Sequence, residues 1–107
     1  MKFDDYQKKA LDTALPSAKS LTYTALGLNG EAGEVAEKIK KWIRDGGSDD
    51  SSLDKQALAD ELGDILWYVA IMADMLGYAL GDIAMRNNQK LLSRMERGKL
   101  HGSGDNR

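Results

Sequence analysis

Four acidic residues stand out by type and spacing. Glu31 and Glu34 lie three positions apart, and Glu61 and Asp64 repeat that interval. On a helix, residues at this spacing emerge on the same face. The surrounding segments also match: EAGEVA (31–36) and ELGDIL (61–66) both read acidic, apolar, glycine, acidic, apolar, apolar. In each segment the acids flank an apolar stripe, so packing the stripes together brings the carboxylates to one spot at the rim of a core. Like charges at short range repel, and partial burial raises the cost. Cations relieve such a cluster, and oxygen donors without histidine suit Mg²⁺ or Mn²⁺ better than zinc. The E-x-x-H pattern of carboxylate-bridged di-iron bundles is missing. A plainer reading leaves the acids in solvent, paired with lysines such as Lys38, four residues after Glu34.

A complementary set follows near the end of the chain. Asn87, Lys90 and Arg94 fall on one helical face, with Arg97 a turn further on. Cations facing a carboxylate–metal site are what a polyphosphate requires, with metal on some phosphate oxygens and Lys or Arg on the rest. Taken alone, such a stripe is also what a solvated face looks like. Tyr68, one turn after Asp64, and Trp42, late in the preceding helical segment, offer rings on which a base can stack. Trp67 reads as a core or interface aromatic. Gly33 and Gly63 interrupt helical stretches at about 1 kcal/mol each relative to Ala, which a close helix crossing would explain.

Helices must position these residues. There is one proline (Pro16) in 107 residues, and β-branched runs are few. The first predicted helix runs from Phe3 to Leu15, with Asp4 and Asp5 at its positive end, and Pro16 and Ser17 end it. The second runs from Ser20 to Arg44, with Leu28, Ala32, Val35, Ile39 and Ile43 on one face, and Gly46-Gly47 stops it. The third runs from Leu53 to Leu76, and Ser51 with Asp54 resembles a capping box before it. Its stripe of Leu58, Leu62, Ile65 and Val69 leads into Ile65–Ala73, nine residues without a charge. That is half of a membrane span and reads as a helix buried on every side. One short chain has little material to wrap it, so a second subunit is expected to cover it. Gly77 caps this helix, and the fourth runs from Leu80 to Arg97 with Ile83, Ala84, Leu91 and Met95 as its apolar side. The fold class read from this pattern is all-α: a bundle of about four helices per chain, completed as a dimer or a dimer of dimers. Residues 1–98 form the domain, and 99–107 are a polar, Gly-rich tail.

Composition removes several function classes. Hydrophobic residues make up 42% and charged residues 30%, the balance of an ordinary folded chain. Fifteen basic against 17 acidic residues give a net charge of -2, which argues against a general nucleic-acid partner. Without cysteine there is no disulfide, thiolate metal site or cysteine nucleophile, and with one histidine (His101) a polyhistidine zinc site is excluded. The start, MKFDDYQKKA, does not read as a signal peptide. No membrane partner is expected, and the cytoplasm is the expected compartment.

At the acidic pairs the sequence resembles the MazG-like nucleoside triphosphate pyrophosphohydrolases of the all-α NTP pyrophosphatase superfamily. That family's signature is E-x-x-E, a variable spacer, then E-x-x-D. Glu31-x-x-Glu34 and Glu61-x-x-Asp64 fit it, with 26 residues between Glu34 and Glu61. The context GLNGEAGEVAEKIKK, then LADELGDILWY, then N-x-x-K-L extends the likeness over about residues 20–95. The resemblance implies Mg²⁺, or Mn²⁺, held by Glu31, Glu34, Glu61 and Asp64, with Glu34 orienting the water that attacks the α-phosphorus. It implies a nucleoside triphosphate or its deoxy form as substrate, cleaved to the monophosphate and pyrophosphate in house-cleaning of the nucleotide pool. Tyr68 would contact the nucleotide, and Asn87 and Lys90 would face the phosphates. With Lys38, Trp42 and Arg94 these complete the candidate substrate-binding set. Two competitors remain at this point: phosphoribosyl-ATP pyrophosphohydrolase, which shares fold and carboxylates, and a non-catalytic helical interaction dimer.

Overall fold

A computed structural model describes residues 1–98, 101, 102 and 104. It is all-α: α1 (Phe3–Asp12), α2 (Leu21–Gly46), α3 (Lys55–Met75) and α4 (Leu80–Glu96), with 3₁₀ turns at Pro16–Ala18 and Asp50–Ser52. Among the described residues there is no strand, and no single helix is long and apolar enough to cross a membrane. The expected tail, 99–107, lies largely outside the described residues.

Local chemistry sets the helix ends. α1 stops at Asp12, short of Leu15, because Thr13 takes the capping position and its hydroxyl donates to the Ala10 carbonyl at 2.8 Å. α2 starts behind Ser20, whose side chain accepts the Tyr23 N–H at 3.0 Å, and ends at Gly47, left-handed at φ 61°. The Ser51–Asp54 capping box does not form. Asp49 takes both the N–H and the hydroxyl of Ser51, while Asp54 alone caps α3 by accepting the Ala57 N–H at 3.0 Å.

α2 and α3 pair along their length, antiparallel because a short loop joins them. α1 lies across the second half of α3 and the start of α4. The core sits there: Ala10, Ala70, Ile71 and Leu80, surrounded by Tyr6, Leu11, Ala14, Leu66, Trp67, Val69 and Met75. The charge-free run of α3 is covered from within the chain only in its second half: Ala70, Ile71 and Ala73 are buried, Ala70 and Ile71 in one cluster with Ala10 and Leu80, while Ile65, Leu66, Trp67, Tyr68, Val69 and Met72 are half-buried. α1 thus supplies part of the cover that the pattern assigns to a second subunit. The stripe lengthwise is less buried than its pattern implied: Ile43, Leu62, Leu91 and Met95 are exposed.

One side chain ties the three core elements together. Buried Gln7 donates from Nε2 to the carbonyls of Ala70 and Tyr78, both at 3.1 Å, and its Oε1 accepts the Leu80 N–H at 2.9 Å. Asp4 of α1 accepts the next N–H, that of Gly81, at 2.8 Å. α4 has Ala79 where a capping side chain would stand, so α1 supplies the acceptors its first turn lacks. At the other end of α1, Trp67 Nε1 donates to the Thr13 hydroxyl at 2.8 Å. Gln7→Ala should leave the Leu80 N–H buried without an acceptor. The expected loss is about 1–3 kcal/mol, measured by urea unfolding, and a loss below about 0.5 kcal/mol would show that α1 does not hold α4 in place.

Candidate metal centre

The α2–α3 crossing carries the acids. Glu31 from α2 and Glu61 and Asp64 from α3 each direct a carboxylate oxygen to one point, and these atoms lie within 4.8 Å of one another. Glu31 and Glu61 are half-buried and Asp64 is exposed. Glu34, one turn further along α2, is exposed and stands outside this compact group. The structure thus brings together three of the four predicted carboxylates.

The electrostatics follow from the crowding. A hydrogen bond shared with Glu61 raises the Glu31 carboxyl above the usual carboxylate range, and burial and the charges of Asp64, Glu61 and Glu34 push the same way. With both acids ionised, Glu61 Oε2 is buried with no donor beside it. Its other oxygen, Oε1, lies 3.6 Å from Lys38 Nζ. Lys38 therefore reaches across to α3 and does not pair with Glu34 on its own helix, as the plainer reading had it. Crowded carboxylate oxygens with one buried atom lacking a donor fit a hard divalent cation such as Mg²⁺ or Mn²⁺.

Aromatic residues line one side. The Tyr68 ring lies against the backbone of Gly27, where an added Cβ would fall within 2.3 Å of it. Tyr23 packs at 6.4 Å between ring centroids, tilted by 41°. Burial, then the proximity of Tyr23, Glu31 and Asp64, raises the Tyr68 hydroxyl pKa and keeps it protonated, a donor at the rim of the acids. Neither Tyr23 nor Gly27 was singled out in the sequence; the available signal was a glycine inside a helix. Gly33 and Gly63, which were singled out, face open space.

Trp42 and Lys38 line a cleft of about 450 Å³ between the end of α2 and the start of α3, together with Lys41, Leu53, Ala57 and Leu58. The Trp42 ring is held there by its Nε1, which donates to the Asp49 carbonyl at 2.8 Å. Asn87 and Lys90 sit elsewhere, in a cleft of about 600 Å³ with Leu76, Tyr78 and Arg86, whose guanidinium lies 5.7 Å over the Tyr78 ring. Leu76 is twelve positions beyond Asp64, about 18 Å along α3, and α4 leaves α3 at 100°. Within one chain, then, Asn87 and Lys90 do not meet the acids. Arg94 is buried at 3% exposure and does not share an open face with them.

Comparison with known proteins gives this arrangement its context. The model of the MazG nucleotide pyrophosphohydrolase domain matches residues 19–98, which include all four predicted acids. The chain belongs to this family. Membership supports a hydrolase acting on phosphoric anhydrides of nucleotides, in a family that typically depends on a divalent metal. The chain is 44% identical over 114 aligned residues, the full length of both chains, to the Gene 37 protein of Mycobacterium phage L5. It is 37% identical over 71 residues to the "Uncharacterized protein YvdC" of Bacillus subtilis (strain 168), covering 62% of this chain and 67% of that one. No solved structure gives a significant match.

The raised Glu31 carboxyl sets a pH dependence. A proton bound more tightly in the folded chain stabilises fully below the ordinary carboxylate pKa and ceases to do so as pH rises through the raised value. The metal-free melting temperature of the wild type should therefore fall across that window relative to Glu31→Gln, which is neutral throughout. Thermal melts of both proteins from about pH 3, below the ordinary glutamate pKa of about 4.3, up to roughly neutral pH check this. Parallel curves would mean that the acids do not interact.

Proposed function

We propose that the chain is a cytoplasmic, Mg²⁺-dependent nucleoside triphosphate pyrophosphohydrolase, converting an NTP or dNTP to its monophosphate and pyrophosphate in house-cleaning of the nucleotide pool. The observation that carries this reading is the convergence of Glu31, Glu61 and Asp64 on one point, with a buried Glu61 oxygen lacking a donor. Mg²⁺ held there would offset the charge of the phosphates. Glu34, exposed beside the group, is the acid we assign to the attacking water. It accepts a hydrogen bond from that water and aims it in line at the α-phosphorus. The bond to the bridging oxygen then breaks and pyrophosphate leaves. The protonated Tyr68 hydroxyl donates to the nucleotide, and the cleft beside Trp42 takes the base.

Assembly belongs to the same proposal. The chain exposes 7629 Å², against about 5,900 Å² for a compact monomer of its mass. Leu26, Leu62, Met85, Leu92 and Met95 contribute exposed apolar area on α2, α3 and α4. A second copy covering these faces, as a homodimer or homotetramer, would take that apolar area out of water. It is also the route by which Asn87 and Lys90, on a helix that turns away from the acids of its own chain, would join a neighbour's acids.

Two measurements test this reading. Incubation with NTPs or dNTPs plus Mg²⁺ should release pyrophosphate and monophosphate, phosphoribosyl-ATP should stay intact, and Glu34→Gln should lower kcat by about 10²–10⁴-fold. Orthophosphate with a diphosphate product would refute attack at the α-phosphorus. Light scattering should give at least twice the 11.8 kDa chain mass, and a stable monomer would remove the assembly.

A further inference from the structure

Lys38 is a cation built into the acidic group. α2 carries Lys38, Lys40 and Lys41, and they divide by direction. Lys40 and Lys41 both pair with Glu37 on their own helix, at 3.0 and 3.6 Å, whereas Lys38 crosses to Glu61 of α3. The Glu61 side chain is only 16% exposed, so this ion pair is shielded more than the others. At 3.6 Å the contact is longer than a good hydrogen bond. The ammonium is held there mainly by charge, and little directional bonding has to break for it to leave. It also has somewhere to go. Lys38 also lines the cleft of about 450 Å³ between the end of α2 and the start of α3, with Trp42, and a lysine stem is flexible enough to redirect its charge without moving the backbone.

A divalent cation drawn to Glu31, Glu61 and Asp64 competes with this ammonium for the same negative charge. We propose that Lys38 is an exchangeable counter-ion that occupies the acidic group when no metal is bound and turns into the cleft when a metal takes its place. There the freed ammonium meets a phosphate of the nucleotide whose base lies further along the cleft, against Trp42. This inference rests on the metal reading of the site and adds a coupling to it. Metal uptake releases the cation that the phosphate uses, so metal and nucleotide each strengthen the binding of the other, and by linkage they do so equally. Lys38 weakens metal binding in the absence of nucleotide and strengthens nucleotide binding in the presence of metal.

Calorimetric titration of Mn²⁺ into the nucleotide-free protein tests the first half. Lys38→Met keeps the length of the side chain without the charge and should bind Mn²⁺ about tenfold more tightly than wild type, the equivalent of one charge-assisted contact. Lys38→Arg should stay near wild type. Lys41→Met, which lines the same cleft but pairs with Glu37, should leave Mn²⁺ affinity unchanged. Titration of an α,β-methylene nucleoside triphosphate tests the second half: Mn²⁺ should enhance its binding to wild type, and Lys38→Met should lose most of that enhancement. Equal or weaker Mn²⁺ binding by Lys38→Met overturns the exchange, and so does an equal gain in Lys41→Met, which would mark a general field effect. A wild type that takes up no Mn²⁺ overturns the metal reading itself and the exchange with it.

Discussion

Crowding of like charge at the α2–α3 crossing is the constraint on which the rest of this structure depends. Glu31, Glu61 and Asp64 are held together by helices whose packing is decided elsewhere, since the acids themselves push the helices apart. The residues of α2 that face α3 (Leu28, Val35 and Ile39) are only half-buried, so this pair has a thin apolar seam with which to oppose the repulsion. The core lies instead at the far end of α3, under α1 and against Leu80. Separating the stable part of the chain from the strained part lets the acids remain close without having to contribute to folding, an arrangement common where function needs a destabilised site.

α1 has a second role besides covering α3. By offering Gln7 and Asp4 to the first N–H groups of α4, it fixes where α4 begins and so the direction in which that helix leaves. The 100° turn between α3 and α4 sends the Asn87–Lys90 face away from the acids of the same chain. Its first turn joins the core through buried Leu80, while Leu91, Leu92 and Met95 project outward. The helix is thus anchored at one end and presented at the other.

Spacing alone made the acidic pairs legible, and Ser20, Gly47 and Gly77 marked helix boundaries through chemistry local to each end. What was not legible depended on partners that lie outside each motif. An apolar run such as Ile65–Ala73 demands cover but does not say from where, and part of that cover comes from Tyr6, Ala10, Leu11 and Ala14. Ser51 and Asp54 both suit a cap, and Asp49 decided between them by capturing Ser51. Residues three apart on a helix are offset by about 60° around the axis and 4.5 Å along it, which is why Glu34 need not reach the point that Glu31 reaches. The same offset, read on α3, is absorbed by the convergence of Glu61 and Asp64. The separation of Asn87 and Lys90 from the acids follows from an interhelix angle, which no spacing rule encodes.

The clamp formed by Gln7 has a consequence for how the chain is made. Its partners Ala70, Tyr78 and Leu80 lie 63, 71 and 73 positions downstream. At roughly 5–20 residues per second, a ribosome delivers α1 several seconds before anything exists to receive it. During that interval its apolar face, with Tyr6, Ala10 and Leu11, has no native cover, while α2 and α3 can pair as soon as their loop is out. Assembly from local contacts first therefore runs against the order of synthesis. The first helix to emerge is the last to dock, and until it does, the Leu80 and Gly81 N–H groups that open α4 lack their side-chain acceptors.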